Sequence, residues 1–219
     1  MSKTSSLRCL ITAGPTREFI DPVRFISNPS TGKMGYALAQ SAIERNWTVD
    51  LVSGPVSLTE PEGVIYYPVV SAEEMYHQVD ALFDACDIFI MCAAVSDFRP
   101  LEYKEEKVKK DQAERSLRLT RTLDILKTMS QRKVAQYIAG FAAETHNLAE
   151  NAKAKLTSKA CDCIIANQIG EAGSGFASDT NTVTLFHKSG EESQIGPASK
   201  TAIAQQIIQT IAQEVEGES

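Results

Sequence analysis

Short apolar runs alternate along the chain with longer stretches whose apolar residues recur every third or fourth position. The runs Cys9–Thr12, Thr48–Val52, Val64–Val69, Ile88–Ala94, Ala135–Phe141 and Cys163–Ala166 sit between turn residues and predict strands. Ile88–Ala94 contains no polar side chain, as a strand buried on both faces requires. The stretches Met34–Arg45, Ala72–Ala85, Leu123–Gln131, Leu148–Lys159 and Lys200–Val215 predict helices, the second opened by Ser71 with Glu74 as a capping box. Asn181–His187 alternates and predicts a strand with one exposed face. Strand and helix in repeated alternation imply an α/β, Rossmann-like, doubly wound and mostly parallel sheet.

Two segments break that rhythm. The strand at Leu10-Ile11 runs into Gly14, yet helical spacing begins only near Lys33. Such connections usually take roughly 2–6 residues, and a much longer one is usually functional. This loop carries Arg17, Arg24, Asn28, Ser30 and Thr31 where open α/β sheets bind phosphates, which makes it a candidate anion and substrate grip. Gly14 and Gly32 stand too far apart for a G-x-G-x-x-G fingerprint, and Thr31-Gly32-Lys33 lacks the rest of a Walker A sequence. The second segment, Asp97–Arg121, is charged, carries Lys104, Lys107, Lys109 and Lys110, and alternates over Ser116–Thr120. It predicts an extended excursion or hairpin away from the main sheet. The tail, 214–219, is expected to fray.

Composition narrows the class. With 219 residues, 43% hydrophobic and 23% charged, the chain is sized for one soluble α/β domain, 1–219. A net charge of −6 argues against a general nucleic-acid binder and requires locally clustered cations for any anionic ligand. No apolar run approaches the length of a membrane span, and the first residues lack a signal-peptide core, so a cytoplasmic location is expected. The 5 cysteines are odd in number without C-x-x-C spacing, and the 3 histidines are scattered. Small buried core residues are expected rather than a zinc site.

Four constellations carry candidate chemistry. Arg24 and Asn28 share the long loop, and guanidinium and amide groups suit carboxylate or phosphate. Met91-Cys92-Ala93-Ala94-Val95-Ser96-Asp97 places small residues at a strand end, where a ligand can approach the backbone; Asp97 suits a magnesium ion, a ribose hydroxyl or a turn cap. Lys107-Val108-Lys109-Lys110 offers lysines to phosphates or forms a solvated face. Gly140-Phe141-Ala142-Ala143-Glu144-Thr145 suits the second wall of a planar-base pocket, with Lys155 and Lys159 projecting from one helix face. A fifth stretch, Gly175–Asn181, reads as a structural turn.

In this order these pieces resemble the phosphopantothenate–cysteine ligase family of coenzyme A biosynthesis. The matching stretches are Thr12–Arg17, Ile20–Asn28, Gly32–Gly35, Ala93–Asp97, Lys107–Lys110, Gly140–Thr145 and Gly175–Asp179, spread over nearly the whole chain. The resemblance implies a two-step reaction. The carboxylate of 4′-phosphopantothenate attacks the α-phosphate of CTP, pyrophosphate leaves, and the amine of L-cysteine then displaces CMP from the acyl-cytidylate. It implies Mg2+ as cofactor, held at Asp97, and catalytic roles for Asn28 and Lys107. Arg24 and Asn28 would hold the acyl substrate. Met91, Cys92, Ala93, Asp97, Lys107, Leu123, Asp124, Ile125, Leu126, Phe141, Lys155 and Lys159 would bind the nucleotide. It further implies a homodimer joined through 97–121. Many bacterial members are fused behind a flavin-dependent decarboxylase, which nothing in this chain resembles; a stand-alone ligase is expected, with a separate decarboxylase as a candidate partner. Asn167-Gln168 departs from the family's usual Asn-Asp, and Pro29 and Thr31 depart within the loop. The rival classes are a short-chain NAD(P)-dependent oxidoreductase, whose glycine fingerprint is missing, and a non-catalytic nucleotide-binding partner of a flavoprotein.

Overall fold

The computed structural model describes residues 6–109, 116–168 and 180–217. In chain order its elements are β1 (Arg8–Ala13), β2 (Arg17–Phe19), β3 (Phe25–Ser27), α1 (Lys33–Glu44), β4 (Thr48–Ser53), β5 (Ile65–Pro68), α2 (Ala72–Phe83), β6 (Ile88–Met91) and β7 (Phe98–Pro100). They continue with β8 (Leu119–Arg121), α3 (Ile125–Arg132), β9 (Tyr137–Glu144), α4 (Leu148–Ser158), β10 (Cys163–Gln168), β11 (Thr180–His187), β12 (Glu192–Ser199) and α5 (Lys200–Glu216).

An 8-stranded sheet runs in the order β12-β11-β10-β9-β6-β1-β4-β5. From β10 to β5 all neighbours are parallel, whereas β11 and β12 turn back as antiparallel strands. Side chains alternate across it. Cys9, Ile11 and Ala13 of β1 face a layer containing Leu38 and Ala42 of α1 with Ile203 and Ile207 of α5. Leu10 faces the opposite layer, with Met75 and Phe83 of α2, Met129 of α3 and Ala152 of α4. Removing such side chains from water contributes roughly 1.5–3 kcal/mol each. Helices on both faces make this the expected doubly wound, mostly parallel Rossmann-like fold.

Gly35 lets α1 lie directly on β1, because a Cβ there would come within 2.6 Å of the Ala13 Cβ. The parallel strands all end at one edge, which gathers the segments after β1, β6 and β9.

The helix caps follow their side chains. Ser71 Oγ accepts from Glu74 N at 3.1 Å, but the Glu74 carboxylate accepts from Val70 N at 2.6 Å rather than closing the box on Ser71. The third helix starts at Ile125, two residues later than its apolar spacing suggests, because Asp124 Oδ1 accepts from Lys127 N and caps it.

Two elements were not foreseen and one expectation is corrected. The long loop contains the hairpin β2–β3. Asp21 Oδ1 tightens its turn by accepting from Val23 N and Arg24 N, and buried Glu18 joins it to α2 by accepting from Ala72 N at 2.9 Å. The strand β12 is an edge strand that its internal Gly196-Pro197 had concealed, an edge being where proline is tolerated. The tail does not fray at Glu214: α5 runs to Glu216, with Glu214 accepting from Tyr137 Oη and Glu216 from the Trp47 indole. The two ends of the 97–121 excursion pair outside the main sheet, β7 antiparallel to β8.

Candidate functional site

At the carboxyl edge the chain leaves the sheet after Met91, earlier than the apolar run through Ala94 suggests. The cause is Thr12 at the end of β1. Its buried hydroxyl accepts from Cys92 N at 3.1 Å and Ala93 N at 3.2 Å, and donates to Met91 Sδ. With their donors taken, these residues stop pairing as a strand.

The segment that follows, Cys92–Asp97, is held on every side. Ala94 N donates to Gly14 O at 2.9 Å, and Thr16 N donates to Ala94 O. Thr16 Oγ1 accepts from Ser96 N at 3.0 Å. Thr122 Oγ1 donates to Ser96 O at 2.6 Å. Asn28 Nδ2 donates to both Ala94 O and Val95 O, at 3.1 and 3.2 Å. The amide nitrogen of Asn28 is thus committed to positioning this segment, and the residue lines one of the adjoining cavities. Sequence reasoning missed Thr12 and Thr16; their signal is a threonine at, or just beyond, the end of an otherwise apolar strand.

Two cavities flank the segment. The first, about 470 Å³, opens on the α3/α4 side. It collects Met91, Ala93, Asp97 and Phe141, the turn Leu123-Asp124-Ile125-Leu126, and Lys155 with Lys159. Ten of the residues expected at a nucleotide therefore meet around one space. Arg121 joins them and was not foreseen. Lys155 pairs with Glu144 at 2.7 Å, Asn151 also donates to that carboxylate, and Lys159 pairs with Asp124. Both ammonium groups are held in place by these carboxylates.

The second cavity, about 430 Å³, opens on the α1/α5 side. Asn28, Ser30, Lys33, Cys92, Asn167 and Lys200 line it, and it shares Ala93, Val95, Asp97, Phe141 and Lys155 with the first. Cys92 is a partly buried wall residue here, not a core residue as expected; burial pushes its thiol up to about 12, against a lowering pull from the Lys200 charge. It is a neutral thiol near pH 7.

Arg24 and Lys107 line neither cavity. Arg24 donates to Val108 O at 2.9 Å and lies 3.6 Å from Asp21, so it braces the segment before residue 109 against the β2–β3 turn. Burial pushes the Asp21 carboxyl up, but N–H donors from Val23, Val108 and Arg24, with the Arg24 charge, outweigh it and hold it below its ordinary value. Lys107 is exposed. Lys110 and Gly175–Asp179 lie outside the described residues.

Among the described residues no group of three or more His, Cys, Asp or Glu could cage a metal. Asp97 alone offers a carboxylate where the cavities meet. That donor set fits magnesium carried by a nucleotide's phosphates, which takes one or two carboxylates from a protein and completes its shell with phosphate oxygens and water. No described helix is long and apolar enough to cross a membrane.

Comparison with known proteins shows the family. A family model described as DNA/pantothenate metabolism flavoprotein C-terminal domain matches residues 4–215, and the chain belongs to that family. It is 48% identical over 204 residues to the coenzyme A biosynthesis bifunctional protein CoaBC of Bacillus subtilis, covering 93% of this chain and 50% of that one. With CoaBC of Escherichia coli it is 44% identical over 190 residues, 85% of this chain and 47% of that one. The chain thus spans about half the length of these curated relatives. It superposes on a crystal structure of the C-terminal domain of CoaBC with a TM-score of 0.83 at 40% identity, covering 97% of each chain. A complex of the Cab2 mutant H337A with phosphopantothenate-cysteine has the same fold, with a TM-score of 0.78 at 16% identity over 96% of this chain and 88% of that one.

Proposed function

We propose that this chain joins 4′-phosphopantothenate to L-cysteine, using CTP to activate the carboxylate, in coenzyme A biosynthesis. The observation that carries the reading is the pair of cavities meeting over Cys92–Asp97. A ligation through an acyl-nucleotide needs such a pair: one space for the nucleotide, one for the acid, and a rigid seam where carboxylate and α-phosphate meet. The bifunctional CoaBC relatives and the C-terminal domain structure support it.

In the first step a carboxylate oxygen forms a bond to the α-phosphorus and the bond to pyrophosphate breaks. In the second, the free amine of cysteine attacks the acyl carbon; the C–N bond forms, the C–O bond to CMP breaks, and the amine loses a proton. Two anions must approach each other in the first step, so preset cations dominate the catalysis. Lys155 and Lys159, oriented by Glu144 and Asp124, serve the triphosphate. Phe141 walls the base, and the backbone of Cys92–Asp97 offers polar groups held by Thr12, Thr16 and Asn28. Magnesium, bound with CTP at Asp97, would neutralise phosphate charge. Asn28 keeps the seam in register as the acyl carbon changes partner.

Lys107 and Arg24 act, in this reading, when the excursion closes over a site shared by two subunits. The support is an apolar surface on the two hairpins: Phe25, Phe98, Leu101 and Leu119 are exposed, where a single chain would cover them.

The test is pyrophosphate release. Release with CTP that requires phosphopantothenate, yields a cysteine adduct, and is much weaker with ATP supports the proposal. Nucleotide turnover indifferent to phosphopantothenate overturns it.

A further inference from the structure

Three cations line the α3/α4 cavity: Arg121, Lys155 and Lys159. Two of them are already matched by carboxylates of the protein. Lys155 pairs with Glu144 at 2.7 Å, and Lys159 pairs with Asp124. Arg121 differs. Its position is exposed, and its guanidinium has no ion pair and no hydrogen bond among the described residues. In a chain of net charge −6, an arginine left unpaired on a cavity wall keeps its whole charge for an anion.

The backbone at Arg121 is fixed. Arg121 lies opposite Phe98 in the antiparallel pairing of β7 with β8, and both residues line the cavity. Thr122 N donates to Asp97 O at 3.0 Å, and Thr122 Oγ1 donates to Ser96 O at 2.6 Å. The end of β8 is thereby stitched to the Cys92–Asp97 segment, and Arg121 stands on the same stretch of wall as Asp97, the carboxylate suited to magnesium. Arg121 lines this cavity only, whereas Ala93, Val95, Asp97, Phe141 and Lys155 line both.

We propose that Arg121 grips the β- and γ-phosphates of the nucleotide, the part that leaves as pyrophosphate, and so separates the triphosphate substrate from the monophosphate product. The inference rests on the ligase reading. Acid and α-phosphate meet at the seam made by the shared residues, so a cation confined to one cavity faces the phosphates beyond the α-position. A planar guanidinium fork matches two phosphate oxygens at once. Once pyrophosphate has gone, CMP offers this fork nothing, and the product is held by fewer contacts than the substrate was.

The experiment compares wild type with Arg121→Gln and Arg121→Lys. Calorimetry measures affinity for CTP, CMP and pyrophosphate with magnesium present and phosphopantothenate absent, and melting is followed alongside. Loss of a charge-assisted contact weakens CTP and pyrophosphate binding roughly 10- to 100-fold in Arg121→Gln. The expected pattern leaves CMP affinity and melting unchanged, and lysine restores part of the loss because it keeps the charge without the fork. Equal weakening of CTP and CMP would place Arg121 at the base or ribose and overturn the assignment. Unchanged CTP affinity overturns it too and leaves Arg121 a solvated charge. Should Arg121→Gln melt far below wild type, Arg121→Lys is read instead: a smaller loss confined to CTP and pyrophosphate supports the assignment, and no loss overturns it. A wild type that binds CTP but releases no pyrophosphate when phosphopantothenate is added overturns the ligase reading alone, whereas a wild type without affinity for CTP overturns both.

Discussion

The two edges of the sheet are built from similar polar residues put to different uses. At the amino edge lies a cavity of about 710 Å³, larger than either space at the carboxyl edge. Its polar side chains satisfy one another. Asp162 pairs with Lys133 and accepts from Ile138 N at 2.7 Å, and Tyr137 donates to Glu214 at 3.0 Å. Burial, followed by nearby acidic groups, pushes the Tyr137 hydroxyl far up, so it stays a neutral donor. At the carboxyl edge the side chains of Thr12, Thr16 and Asn28 instead hold a backbone segment, and lysines cluster around the space it borders. Size therefore does not identify the site. What distinguishes the smaller cavities is that their polar groups are arranged around a space, while those of the larger one close on each other.

The strongest way to break this contrast is Asn28→Asp. The change is nearly isosteric, but a carboxylate cannot donate to Ala94 O and Val95 O, and it places negative charge where anions must meet. The expected outcome is a loss in kcat/KM on the order of 10²–10³, with a melting temperature lowered by only about a few degrees as Ala94 O and Val95 O lose their donor. Near-normal activity in the folded variant would remove Asn28 from the site.

Lys107→Gln asks whether the carboxyl-edge site extends beyond the cavities of one chain. A loss on the order of 10² in kcat, with acyl-cytidylate accumulating in quenched reactions, would bring the excursion into the chemistry. Light scattering at twice 23.9 kDa would accompany it. Unchanged rates would leave Lys107 on a solvated face.

At the amino edge, Asp162→Ala strands the Ile138 N–H and the Lys133 charge. The expected loss is about 2 kcal/mol of folding stability, with kcat of the folded fraction unchanged. A loss of kcat without a loss of stability would reverse the division between the edges.

The smallest effect concerns acid. The folded-state pKa of Asp21 is depressed, so the stability it contributes is fully present above the ordinary carboxylate pKa of about 4. It is lost as pH falls through the lower folded value. Melting curves between pH 7 and pH 2 should show this acid-side loss shrinking in Asp21→Asn, and identical acid limbs would count against it.

The sheet, its helices and most of the α3/α4 cavity follow from the order of residue types along the chain. Periodicity reports which face of an element is buried, and the parallel strands expose their carboxyl ends at one edge, so Met91, Asp97, Phe141 and the Leu123–Leu126 turn had to gather there. The hairpin at Arg17–Ser27 and the edge strand at Glu192–Ser199 were hidden, because short or proline-containing strands carry little periodic signal. What each polar residue does depends on packing between elements distant along the chain. Arg24 reads as an anion grip by type and location, yet in the folded chain it braces Val108. Lys200 reads as the unremarked start of a helix, yet α5 packs beside α1 and turns it into the cavity. A side chain's partners come from elements distant along the chain, and the direction in which a helix start points is fixed by packing against the sheet.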